Sequence, residues 1–201
     1  MNEQCLRVEF THQLLKSLQQ GKSINLIGPH GQGRRRTLQD LRSILPEVWR
    51  VFQVDMRDVE KRQISLLDAL LEQGKYKNIA NIHDFIPEIN KTSIYHLVIV
   101  HNLEFLTDLS VISYLNEIEK YPYVSLLCVS EKKQQESALV GVDYILPAVT
   151  STQLLEEIRR RDLLLKDKDR VLLVDFLLQQ ASPYSLLDAN SQAWFRDGLW
   201  K

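Results

Sequence analysis

Cys5 and Cys128 are the only cysteines in 201 residues, too few for a disulfide framework or a cysteine-rich zinc site. Charge of one sign is also missing: 25 Lys+Arg stand against 26 Asp+Glu, which excludes a strongly basic nucleic-acid coat and an acidic tail. No apolar run approaches the roughly 18–20 residues that cross a bilayer. The opening residues MNEQCLRVEF lack the basic-then-apolar layout of a secretory signal. Neither a membrane nor export is expected, and a reducing, cytoplasmic setting is. Internal repeats and low-complexity tracts are absent as well. What is present is an apolar fraction of 44%, ordinary for a chain that buries a core. The length suits one domain with a small appended subdomain.

Helical and strand signals alternate along the chain. Leu6–Gln20 carries Leu6, Phe10, Leu14, Leu15 and Leu18 at helical spacing and stops at Gly21. A short strand over Ser23–Ile27 runs into the stretch GPHGQG, and a helix resumes over Arg35–Leu45 until Pro46. Val48–Val54 reads as a strand and Gln63–Gln73 as a helix, with helix and loop over residues 76–93. Tyr95–Val100 has the length and composition of a buried strand, followed by a helix over Leu106–Lys120 and a strand over Tyr123–Ser130. Tyr144–Leu146 is a short fifth strand, and helical patterns near Thr152–Leu165, Asp169–Gln180 and Leu186–Phe195 close the chain. Strands separated by helices predict a mostly parallel sheet covered on both faces, with the last 50 or so residues as a helical cap.

The most informative segment is Gly28-Pro29-His30-Gly31-Gln32-Gly33-Arg34-Arg35-Arg36-Thr37. It lies between a predicted strand and a predicted helix, where glycines let backbone N–H groups approach phosphate oxygens and the helix directs its positive end at them. Gly28 and Gly33 have the spacing of G-x-x-x-x-G-K-[ST], but Arg34 takes the lysine position and Arg35 the hydroxyl position. Arg34 keeps the charge in a planar fork. Arg35 has no lone pair for a metal, and Thr37 lies about 200° around the helix from position 35.

A hydrolytic site of this kind also needs an acid at the end of a buried strand. After Val100 stand His101 and Asn102, neither with a fixed negative charge, and Glu104 comes later, the one acid left as a candidate for catalysis. Mg2+ prefers carboxylate and water oxygens, so metal-assisted hydrolysis is not expected here. The histidines His30, His83, His96 and His101 do not share one helix face, so no zinc site is expected.

The order of these segments resembles the nucleotide-binding core of AAA+ and STAND-type P-loop ATPases, near their origin-recognition-like branch, over about residues 6–165. SINLIGPHGQGRRRTL is similar to the first strand and phosphate loop, and VFQVDMRD to the second strand. HLVIVHNLEFL matches the third strand, where the family has an acidic pair, and SLLCVSE the fourth, whose terminal polar residue senses the γ-phosphate. ILPAVTSTQLLEEIRRR is similar to the fifth strand and first lid helix. The resemblance implies a three-layer α/β/α P-loop NTPase-like parallel sheet of order 5-1-4-3-2 with a small C-terminal helical lid. It implies a core over 1–150, a lid over 151–201, and ATP or ADP at the strand C-termini. The phosphate-loop role falls on Gly28, Gly31, Gly33 and Arg34, within a nucleotide-contacting stretch that takes in His30, Gln32, Arg35 and Arg36. The sensor role falls on Ser130. Arg34, Arg35, His101 and Asn102 break the catalytic pattern, so active hydrolysis does not follow from the resemblance.

Two further segments bear on partners. Glu156 and Glu157 precede Arg159-Arg160-Arg161 at spacings that support a solvated helix face. Ser191–Lys201 holds Trp194, Phe195, Leu199 and Trp200, which must cover the domain's own core or enter a partner's groove. The expectation is a degenerate P-loop protein that binds ATP or ADP, with Mg2+ doubtful, as a regulatory or adaptor subunit with a protein partner or as an oligomer. Two alternatives stand beside it. One is an ATPase completed by neighbouring-subunit residues or Glu104. The other is an interaction module that binds protein or nucleic acid and no nucleotide.

Overall fold

The computed structural model describes residues 5–74, 79–133, 141–161 and 165–189. In chain order the elements are α1 (Val8–Gln19), β1 (Ile24–Ile27), α2 (Arg34–Ile44), β2 (Arg50–Asp55), α3 (Met56–Arg62), α4 (Leu66–Leu71), α5 (Ile82–Asn90) and β3 (His96–His101). A 3-10 turn over Leu103–Phe105 leads to α6 (Leu109–Asn116) and a second 3-10 turn over Glu117–Lys120. Then come β4 (Val124–Ser130), β5 (Val142–Ile145), α7 (Ser151–Arg160), α8 (Asp167–Leu178) and α9 (Pro183–Ala189). The segment Ser191–Lys201, with its aromatic residues, lies outside the described residues.

All five strands join one sheet of order β2-β3-β4-β1-β5, every pairing parallel. That is the expected 5-1-4-3-2 read from the other edge. β3 and β4 carry almost unbroken apolar runs because both of their faces are covered. One face meets α3, α4, α5 and α6 in a core that includes Phe52, Val54, Val98, Val100, Leu126 and Phe85. Leu14 and Leu18 of α1 are also fully buried.

Two expected helices are shortened, for local reasons. The span Gln63–Gln73 narrows to α4 because Gln63, left-handed at φ 53, ends α3, a helix over Met56–Arg62 that the sequence reading did not place. Ser65 and Asp68 then form a capping box that starts α4. The span Leu106–Lys120 is shortened because Asp108 caps α6, its Oδ1 accepting from the Ser110 amide at 2.9 Å.

Compactness divides the described residues into two units that cut across chain order. One takes those within Met1–Thr11, Pro29–Ser43 and Leu146–Lys201; the other takes His12–Gly28 and Ile44–Ile145, including the whole sheet. The first has its own apolar core of Leu6, Val149, Leu154, Ile158, Leu173, Val174, Leu177, Tyr184 and Leu187. Among the described residues no helix is long and apolar enough to cross a membrane.

Candidate functional site

In the first unit the glycine loop is held by its carbonyls. Gly31 and Gly33 adopt φ of +78° and +81°, a region that side chains rarely enter. A Cβ on Gly31 would lie 2.6 Å from Ser182 Cα, so glycine is required there twice over. The Tyr184 amide donates to Gly31 O at 2.9 Å. Arg7 Nη2 donates to Gln32 O at 2.7 Å. The Thr37 amide donates to Gly33 O at 3.0 Å as α2 begins. Gln32 also reaches across with its side chain, Oε1 accepting from the Val149 amide at 3.3 Å. In a trans peptide the C=O of one residue and the N–H of the next point in opposite directions. Anchoring the carbonyls of residues 31–33 therefore turns the amides of Gln32, Gly33 and Arg34 away from those supports.

The cations around this loop differ in their circumstances. Arg34 is half-buried and Arg35 exposed, both in the first turn of α2. Arg36 is buried and paired with Asp40 at 3.0 Å. Asp40 also accepts from the Leu6 amide at 2.7 Å. His30 is exposed. Arg7 is only 3% exposed. Besides Gln32 O, it donates from Nε to Pro147 O at 3.1 Å and from Nη1 to Thr37 Oγ1 at 3.0 Å. Burial pushes its pKa down to about 10, which leaves it charged at neutral pH.

A magnesium ion does not fit the residues at the loop. Position 35 offers only guanidinium N–H donors. The Thr37 hydroxyl is fully buried, donating to Gly33 O at 3.2 Å while accepting from Arg7.

The second unit carries the strand ends. Gly28 extends the β1–β4 ladder, its amide donating to Ser130 O at 3.1 Å. The Ser130 side chain is buried and donates to Lys132 O at 3.0 Å. His101 ends β3 in register with Asp55 of β2 and Val129 of β4. Asn102 turns left-handed at φ 53 and donates from Nδ2 to Asp55 Oδ1 at 2.7 Å. The same oxygen caps α3 by accepting from the Arg57 amide at 2.9 Å. The Arg57 side chain sits 3.7 Å from Glu131 Oε1 and 5.5 Å from the Phe105 ring centroid. Glu104 is exposed in the 3-10 turn. Among the described residues no group of three His, Cys, Asp or Glu side chains could hold a metal ion.

Sequence reasoning missed three residues. Arg7 shares a helix face with Thr11, Leu14 and Leu18, and a cation at that spacing from buried leucines was a usable signal. Asp55 comes beside Asn102 only through the β2–β3 register, and Tyr184 meets Gly31 only in the folded chain; neither left a local mark.

No protein-family model matches the chain, and no curated protein matches it in sequence. Solved structures do. A Walker-type ATPase of Pyrococcus abyssi superposes with a TM-score of 0.68 at 13% identity, over 96% of this chain and 68% of that one. Cdc6p of Pyrobaculum aerophilum gives a TM-score of 0.57 at 10% identity, over 92% of this chain and 62% of that one. At such identities the likeness concerns the fold alone, a P-loop NTPase-like α/β/α arrangement.

Proposed function

We propose that this chain is a nucleotide-binding regulatory or adaptor subunit of the cytoplasm, holding ATP or ADP in the 28–36 loop and turning it over slowly or not at all. The observation that carries the reading is the anchoring of the Gly31, Gln32 and Gly33 carbonyls, which aims three successive amides away from their supports at the head of α2. The lack of turnover is supported by Arg35 at the hydroxyl position and by His101 and Asn102 at the strand end. Asn102 directs a donating amide group at Asp55. A protein partner, or a second copy of the chain, fits a subunit whose chemistry is binding alone.

The test is the melting temperature of the full chain with ATP or ADP, beside steady-state hydrolysis. A ligand that binds only the native state must raise its stability, by about 2.7 kcal/mol at a hundredfold excess over Kd. The expected result is a nucleotide-dependent rise that Gly33→Val removes, with hydrolysis at background. No rise in millimolar nucleotide would overturn the binding claim. Robust Mg2+-dependent hydrolysis lost in Gly33→Val would overturn the regulatory one.

One observation favours a second reading, an active ATPase. Asp55 brings a carboxylate beside the end of β3 that the sequence of β3 itself lacks. Turnover lost in Asp55→Asn and retained in Glu104→Gln would favour it.

A further inference from the structure

Arg7 is an unusual support for a loop. It is 3% exposed, and the three hydrogen bonds of its guanidinium go to neutral oxygens: Gln32 O, Pro147 O and Thr37 Oγ1. Among the described residues no carboxylate pairs with it. Asp40, whose charge it feels, is engaged by Arg36 and by the Leu6 amide. A buried guanidinium without a counter-charge is costly to the fold unless an anion compensates it. Its Nη2 proton lies on the carbonyl oxygen of the peptide group whose N–H belongs to Gly33. A charged donor on one end of a peptide polarises the other end, so the Gly33 amide becomes a stronger donor. The charge of Arg7 thus reaches the phosphate side of the loop through one peptide bond.

The remaining cations fit the same logic. Arg36 is neutralised by Asp40, while Arg34 and Arg35 begin α2 where the helix end is already positive. The loop therefore gathers positive charge yet offers a metal ion no oxygen of its own, since Thr37 Oγ1 is engaged on both sides.

We propose that this loop takes its polyphosphate as the free anion rather than as a magnesium chelate, with Arg34 and Arg35 beside the ligand and Arg7 as a positioning cation acting through the Gln32–Gly33 peptide. The inference rests on the nucleotide-binding reading above and deepens it. Chelation by Mg2+ cancels part of the ligand's negative charge and occupies oxygens that the guanidinium groups would bind. The ion gains no protein ligand at the loop in exchange. Magnesium should therefore weaken binding.

The experiment is calorimetric titration of the full chain with ATP and with inorganic pyrophosphate, in EDTA and in excess Mg2+. Affinity in EDTA should exceed that in Mg2+ by about threefold to tenfold for both ligands, the sign expected when charge density drives recognition. Arg7→Gln should lose about tenfold in pyrophosphate affinity, whereas Arg7→Lys, which keeps the charge but not the fork, should retain most of it at a lower melting temperature. A merely structural Arg7 would make the two variants lose affinity alike, and that result would overturn its role. Tighter binding in Mg2+ would overturn the free-anion claim, and this comparison needs only the wild-type chain should Arg7→Gln fail to fold. Pyrophosphate binding without ATP preference would assign the site to the polyphosphate alone, in support of the charge argument. Absence of binding by either ligand in both buffers would instead sink the nucleotide reading on which this one stands.

Discussion

Glu157 of α7 is 3% exposed and has three donors on its carboxylate: Arg160, Arg161 and the Tyr184 hydroxyl. Burial by itself pushes this carboxyl up, but the hydrogen bonds from Arg160 and Arg161 outweigh it and hold the pKa at about 2. The folded value lies below the unfolded value of about 4.3. The group therefore contributes its full stability above that pH and loses it as pH falls towards the folded value. Glu157→Gln should cost about 3 kcal/mol at pH 7, because it removes the buried negative charge and one of the two oxygens that Arg160, Arg161 and Tyr184 share. The deficit should shrink at pH 3. Urea unfolding at the two pH values checks this, and an equal deficit at both would refute the assignment. The Glu-to-Arg spacing in the sequence pointed to ion pairs on a solvated face. The pairs are present, but Tyr184 and Arg161 close over Glu157, and that burial is what raises the stakes of a single substitution.

At the scale of elements, α2 carries an internal conflict. Its first turn holds Arg34, Arg35 and Arg36 and no acid, which opposes the helix dipole. Arg36 is relieved by Asp40 one turn on, but Arg35 stands exposed. Arg35→Glu should stabilise the ligand-free chain by about 0.3–1 kcal/mol and at the same time weaken polyphosphate binding. Denaturant unfolding without ligand and titration with ATP measure the two effects separately; a gain in both would mean that Arg35 does not face the anion. The elements themselves were largely legible. The parallel sheet followed from buried runs alternating with helices, its strand order from the resemblance, and the turn between β1 and α2 from its glycines, of which Gly31 and Gly33 take positive φ. The helix boundaries were not legible, because an apolar pattern over 64–71 runs on in sequence while Gln63 turns left-handed to end α3 and Ser65 caps α4. Nor were the contacts that support the loop: the spacing of Arg7 from Leu14 and Leu18 signalled its burial but not the carbonyl it anchors, 25 positions away (32 − 7), and Tyr184 lies 153 positions from Gly31 (184 − 31). Hydrogen bonds between such distant positions are written in no local pattern.

On the scale of the whole molecule, the glycine loop does not share a compact unit with the sheet from which it springs. Residues 29–43 group with the N-terminal turn and with the described helices after residue 146, whose core includes Leu6, Leu177 and Tyr184. The shape of the loop therefore depends on that helical core: a Cβ on Gly33 would lie 3.1 Å from Leu6 and 3.2 Å from the Tyr184 ring, and the Tyr184 amide holds Gly31. Leu177→Ala and Ile89→Ala each remove a side chain with 0% exposure, one from the helical core and one from the sheet unit. Each should cost about 2–5 kcal/mol. Only Leu177→Ala should also weaken nucleotide binding, because loosening the packing around Tyr184 releases the carbonyl that keeps the Gln32 amide turned outward. Melting curves with and without ATP decide it. If the ligand-induced rise survives intact in Leu177→Ala and falls in Ile89→Ala, the loop takes its shape from the sheet unit, and the helical core has no part in recognition.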